Sequence, residues 1–430
     1  METITKVTTT DKLITGFESL KSTLFGDAGI REQAIESFST QKIPTRKHEE
    51  YKYVNVEALL KGEFALTAGN TITAAQLAQA KFLKNAIVVV IANGHFSEEL
   101  STVKDLPQGI QISDIAEAST AEAFQKHYAK YADVNADPFI AMNTALATGG
   151  VFIHVAKNAV VETPVHVLYV TSVGQDTILN SRSLIVVEEN AQARIVESFA
   201  TVDSKAKGFN NSLTEIVVSA SANLEHYKIQ DETGLGYSVN TTQACQHKQS
   251  VFTTNTFTLS GSLVRNNLNI VLDGEFIETH LNGLYLTKGN QSVDNHTLVD
   301  HRKPNCNSNE LYKGIIEEKS TATFNGKIYV RKDAQKTNAF QSNKNILLSD
   351  DGTINTKPQL EIYADDVKCS HGTSTGKLDE DKIFYLRARG LSEASAKKLL
   401  MHAFASEVVE TIKIDELREY VEAEIASRFE

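Results

Sequence analysis

The sequence predicts a mainly β protein: an irregular parallel β-helix core between an N-terminal α/β region and a C-terminal helical domain. Three observations carry that expectation. Short β-rich runs follow one another from about 151 to 364, and no long helix interrupts them. Hairpin chemistry is sparse, with few Asn-Gly or Gly-Gly pairs between matched runs. Many runs carry small polar residues, as in Phe252–Thr258 and Asn266–Ile270, and stacked coils tolerate Asn and Thr ladders. A large sandwich or barrel is the competing all-β solution, and no strict short repeat marks the coils.

Residues 1–150 form the N-terminal, mostly helical domain. Leu13, Ile14, Phe17, Leu20, Leu24 and Phe25 lie on one helical stripe within Asp11–Phe25. Thr73–Leu83 reads as a second helix, Ala86–Ala92 as a buried strand, and the Ala-rich stretch 113–147 as helical again. Residues 151–377 form the β-helix core. Its runs are Val151–Val155, Pro164–Val170, Ser183–Glu188, Arg194–Ser198, Leu213–Ala220, Val251–Leu259, Leu263–Leu272, Thr279–Leu286, Thr321–Val330 and Leu360–Ala364. From 378 to 430 the chain is helical. Leu378–Arg389 begins with acids and ends with bases, matching the helix dipole, and Gly390 stops it. Ser392 caps a helix running to about Ile412, and Asp415 opens a last helix ending at Phe429.

Composition narrows the function. The 430 residues suffice for about two or three domains. A net charge of −11 argues against nucleic acid as the main partner. The polar start Met1–Lys6 offers no export signal, and the run Ala86–Ala92 falls far short of a membrane span, so a cytoplasmic location is expected. Three cysteines, Cys245, Cys306 and Cys369, are too few and too scattered for a disulfide framework.

One short element concentrates chemistry. Cys369 and His371 stand two positions apart at the edge of a strand, so their side chains share a face. A thiolate and a neutral imidazole are both good iron ligands, but two donors cannot complete an iron or zinc sphere that needs about four. Either partner ligands lie elsewhere or another subunit completes the site, and the chain as a whole favours the second. The bland alternative is a packed Cys beside a hydrogen-bonded His.

Other motifs carry less. Gly372-Thr-Ser-Thr-Gly376-Lys377 has the wrong spacing for a phosphate loop and reads as a flexible turn. Asp294, His296 and Asp300 share a strand face that could bind a divalent metal, although a polar ladder on a solvated face is the simpler reading. Cys245 and Cys306 read as packing residues. Arg46, Lys47 and His48, followed by Glu49 and Glu50, read as a self-paired solvated face. No nucleophile elbow, zinc helix or dinucleotide fingerprint is present, which lowers the expectation of a self-contained enzyme.

The stretch Pro358–Gly372 followed by Leu378-Asp-Glu-Asp381 resembles the SufB/SufD family of iron–sulfur cluster assembly proteins. Pro44–Tyr53, Asp300–Cys306, Tyr312–Ile316, Phe324–Val330, Ala334–Ala339 and Leu386–Leu391 match the same family in the same order. Within it the chain is similar to the SufD branch, because no Cys precedes Cys245, whereas SufB members carry an N-terminal cysteine cluster. Tyr51 stands where that branch often has Trp.

The resemblance implies a right-handed parallel β-helix. It also implies a non-enzymatic scaffold role beside a SufB-like subunit and a SufC-like ATPase docked through 378–430, with self-pairing as an alternative. His371, with Cys369 beside it, would then face SufB where a transient iron–sulfur cluster forms between subunits, none being held permanently. The competing classes are a β-helix carbohydrate lyase or hydrolase, and a purely structural adaptor for an ATPase.

Overall fold

From Val151 onward the chain winds through two sheets, laying down one strand of each per turn. The computed structural model describes residues 8–69 and 72–428, so the expectations placed on Met1–Lys6 and Phe429 lie outside the described residues. One sheet has ten strands, from His95–Ser97 and Ile87–Ala92 at one edge to Lys368–Gly376 at the other. The second has nine, from Ile110–Asp114 to Thr353–Ile362. All neighbours are parallel except the two short strands at the first edge. This is the parallel β-helix that the sequence predicts. Each sheet residue meets its counterpart roughly 26 to 32 positions on, as Leu263 meets Ser292 and Ser292 meets Thr321.

A repeat is present after all, and it sits in a corner rather than in the strands. Asn158, Asn190, Ser221, Gln249, Phe276, Asn305 and Lys336 all have positive φ, one per turn. These corners stack: the Asn190 N–H donates to Ala220 O at 3.0 Å and the Ser221 N–H to Lys248 O at 2.9 Å. The residue after each corner is usually small and buried, as with Ala191, Ala222, Ser250, Cys306 and Thr337. Cys306 is therefore a corner-packing side chain, as its polar surroundings suggest.

The interior differs from an ordinary sandwich core because it is part apolar and part hydrogen-bonded ladder. Asn266 donates from Nδ2 to Gln230 Oε1 at 2.7 Å and to Asn295 Oδ1 at 3.0 Å. Large and small side chains interlock across turns. A Cβ on Gly283 would lie 2.2 Å from the Tyr312 ring, and one on Gly314 equally close to Tyr285. Each glycine thus makes room for the tyrosine opposite it.

Helices cover the outer faces. Met401, Ala405, Val408, Leu417, Val421 and Ile425 of the C-terminal helices pack on Tyr227, Phe257, Leu284 and Ile315 of the ten-stranded sheet. Those helices are Glu380–Ala388, Glu393–Val409 and Asp415–Arg428. Asp379 and Ser392 cap the first two through backbone N–H groups. On the nine-stranded side, Leu13, Phe17 and Phe38 pack with Phe139, Ile178, Phe209 and Val239.

Candidate functional site

The last turn is where the winding stops, with no cap among the described residues. Among the described residues, strand Lys368–Gly376 pairs with Asn338–Leu347 on one side and with nothing on the other, and Thr353–Ile362 ends the second sheet likewise. Most of Lys368–Gly376 is exposed. The Gly372–Gly376 segment, expected as a flexible turn, belongs to this strand, because its residues continue the register opposite Ser342–Ile346.

Register fixes what each residue presents. Cys369 stands opposite Ala339 and His371 opposite Gln341. Cys369 packs against the cluster of Ile328, Val330, Ala339 and Ala364, so it faces the interior, and His371, two positions on, shares that face. The expected juxtaposition of thiol and imidazole on one face is therefore present. Burial pushes the Cys369 thiol up, with a hydrogen bond from the Ala339 backbone working against it, so the thiol is not activated in this chain by itself. Among the described residues no group of three or more His, Cys, Asp or Glu is arranged to hold a metal.

The backbone of the same residues is open. The Lys368 N–H donates to Thr337 O at 2.8 Å, so alternate residues from Lys368 onward turn inward to the neighbouring strand. Cys369, His371, Thr373 and Thr375 therefore direct their N–H and C=O groups to the free edge. In the companion edge strand, the N–H groups of Thr353 and Tyr363 bond to Ser320 O and Val330 O, which turns Pro358 to the free side. Proline cannot donate there, so one edge is partly blunted and the edge bearing His371 is not.

Beneath His371 lies a carboxyl that sequence reasoning missed. Glu310 is buried, stands opposite Gln341, and accepts from Gln341 Nε2 at 2.7 Å. Burial pushes it from 4.5 up to about 7, against the hydrogen bond from Gln341. Because the folded value is raised, the stabilisation this group gives is complete below about 4.5 and is lost as pH rises through about 7. That difference amounts to about 3 kcal/mol. Glu310→Gln should therefore unfold at higher urea than wild type at pH 8 and at similar urea at pH 4.5. Equal midpoints at pH 8 would refute this.

Asp294 and His296 do come together, 2.9 Å apart, but not on a solvated face. Arg265 donates to Asp294 at 2.6 Å and stacks on the Tyr51 ring, while Glu50 lies 3.3 Å from His296. Asp300 is taken separately by Arg302 and Arg331, each at 2.9 Å. The expected self-pairing of Arg46–Glu50 is not observed: Glu49 bonds Lys357 at 2.5 Å and Glu50 turns to His296. These contacts clamp the N-terminal region to the outer face of the nine-stranded sheet. Cys245 is buried, and its thiol is raised to about 11 mainly by burial.

The structure is a parallel solenoid whose final turn is open and bears Cys369 and His371 on one face. Comparison with known families agrees. Residues 169–404 match the SufBD core domain of the SUF system for FeS cluster assembly, and residues 23–167 match the SufBD N-terminal region. The chain belongs to the SufBD family of iron–sulfur cluster assembly proteins. It is 33% identical over 400 residues to an iron–sulfur cluster assembly SufBD family protein of Synechocystis, covering 90% of this chain and 88% of that protein. It is 30% identical over 404 residues to the iron–sulfur cluster assembly protein SufD of Escherichia coli, covering 92% of each. The Bacillus subtilis SufD is 27% identical over 315 residues, 72% of this chain and 71% of that protein. No helix among the described residues is long and apolar enough to cross a membrane.

Proposed function

We propose that this chain is a SufD-like, non-catalytic scaffold subunit that supplies half of a cluster-assembly site to a SufB-like partner. The observation that carries the reading is the free edge of Lys368–Gly376. It offers backbone for strand addition and holds His371 and Cys369 on one face. Donors that complete a sphere only when two subunits meet suit a cluster that must be built and released. The iron–sulfur cluster is then cargo of the interface.

The test is co-purification with SufB-like and SufC-like partners, then anaerobic reconstitution followed by absorption spectroscopy. His371→Ala should leave the complex assembled and lower cluster yield about tenfold, the order that ligand-shell losses produce. An unchanged yield sinks the ligand role and leaves a structural adaptor.

The helices at 378–430 are proposed to dock the SufC-like ATPase. Phe384 and Tyr385 are 74% and 58% exposed on the helix Glu380–Ala388, and Leu399 is 47% exposed on the next. Exposed aromatics of this kind anchor interfaces. Replacing Phe384 and Tyr385 together with alanine should weaken ATPase binding by about 2 kcal/mol or more, near thirtyfold. Calorimetry showing wild-type affinity would place the docking surface elsewhere.

A further inference from the structure

We infer that Glu310 and Gln341 form a positioning column for His371. Gln341, oriented by Glu310, accepts the N–H of one imidazole nitrogen and leaves the other nitrogen free to bind cargo. The inference rests on the proposed ligand role of His371 and names the residues that prepare it.

Parallel pairing stacks the three residues on one interior face. Glu310 is opposite Gln341, and Gln341 is opposite His371. Successive strands lie about 4.8 Å apart, so a glutamine side chain reaches the turn on either side of its own. The Gln341 amide has a defined orientation, because its Nε2 donates to Glu310 Oε2 at 2.7 Å. Its Oε1 is buried and has no hydrogen-bond partner among the described residues. A buried amide oxygen without a donor is costly. On the open side, the residue that the register sets opposite Gln341 is His371, whose imidazole can supply the missing donor.

The opposite wall is shaped for the same amide. A Cβ on Gly326 would lie 2.3 Å from Gln341 Nε2, so only glycine leaves the amide its place. Polar ladders run elsewhere through this interior, as from Asn266 to Gln230 and Asn295, but the ladder through Glu310 and Gln341 is the one whose next register position is the exposed His371. A metal-binding imidazole commonly donates its other N–H to a carbonyl or carboxylate, which fixes its tautomer and orientation. Here the carboxylate acts one step back, through an amide.

The experiment reads the tautomer of His371 in the full-length chain, without any cluster. Histidine side chains are labelled with nitrogen-15, the His371 signals are identified by their loss in His371→Ala, and neutral-pH spectra of wild type, Gln341→Met and Glu310→Gln are compared. Wild type should hold one neutral tautomer in excess. Gln341→Met should reduce that excess about fivefold, the effect of losing one ordinary hydrogen bond. Glu310→Gln should reduce it less, since the replacement still accepts from Gln341 but carries no charge. An identical tautomer ratio in wild type and Gln341→Met, with unchanged circular dichroism, overturns the column. If Gln341→Met does not fold, an identical ratio in Glu310→Gln overturns it. Loss of the ligand reading looks different: cluster yield survives His371→Ala while the tautomer still responds to Gln341→Met.

Discussion

Glu215→Ala is expected to cost about 5 kcal/mol or more and to release the loop at residues 128–132 from the solenoid. Glu215 and Arg182 are both fully buried and joined at 2.8 Å. The carboxylate also accepts the backbone N–H groups of Ala129, Tyr131 and Ala132 at 2.9, 2.8 and 3.1 Å. Arg182 in turn donates to Thr144 Oγ1 at 2.7 Å and lies over the Tyr128 ring. Removing the acid leaves a guanidinium buried without its counter-ion, worth about 3–5 kcal/mol, and orphans three backbone donors.

Because a solenoid is stabilised turn by turn, the loss should be local first. Protease cleavage within 128–136 should appear well below the main melting transition. Glu215→Gln keeps the shape and one acceptor oxygen, but its NH2 would face two of the four donors, so it should lose less than Glu215→Ala while remaining clearly destabilised. A Glu215→Ala chain that resists protease like wild type would mean that this buried pair does not hold the N-terminal region to the core.

How much of this architecture is legible in the sequence depends on what each strand buries. Val151–Val155 and Leu263–Leu272 are apolar enough to read as strands directly. Gly236–Gln246, Ser292–His301, Asn307–Ile316 and Asn338–Leu347 were not singled out in the sequence. Their interior faces carry Asn, Thr, Gln and Glu that bond to the turns above and below, as Gln341 does to Glu310 at 2.7 Å. Their outer faces supply some of the greasy residues instead, under the helices, as Ile315 does. Periodicity of two survives in such a strand, but its sign is no longer that of a sheet packed on an oily core.

The C-terminal helices were legible for the opposite reason. Asp379 and Ser392 cap them locally, and no distant partner is needed to recognise the signal. The helix Ala28–Gln41 was missed: its buried face is carried by Arg31, Ala34 and Phe38, only one of them large and apolar. At the site, Cys369 and His371 were visible because two positions in one strand suffice to place them on a face. Glu310 and Gln341 were invisible because they reach His371 only through a register of about thirty residues, which the corner residues mark and the strands do not.

The strongest effect on assembly should come from a substitution that leaves the chain itself folded. Thr373→Pro is expected to abolish strand addition at the open edge. The Thr373 N–H points away from the neighbouring strand, since the inward set runs from Lys368 in alternate steps. A proline there removes no hydrogen bond within the chain, and its restricted φ is tolerated at a sheet edge. It does remove a donor from the middle of the free edge and sets a ring where an incoming backbone must approach. Pro358 already occupies the equivalent outward position in the companion strand without disturbing its pairing to Thr321–Val330.

Gly372→Pro is the matched control. Gly372 belongs to the inward set, so proline there breaks the ladder to Asn338–Leu347 and should destabilise the last turn itself. Size-exclusion chromatography with light scattering should show Thr373→Pro as a monomer in place of any self-paired dimer, and as a chain that no longer co-elutes with a SufB-like partner. Its melting temperature should stay close to wild type, while that of Gly372→Pro falls. If Thr373→Pro still assembles with wild-type affinity, the partner does not add strands to this edge. His371 would then meet its cargo through side-chain contacts across the end of the solenoid.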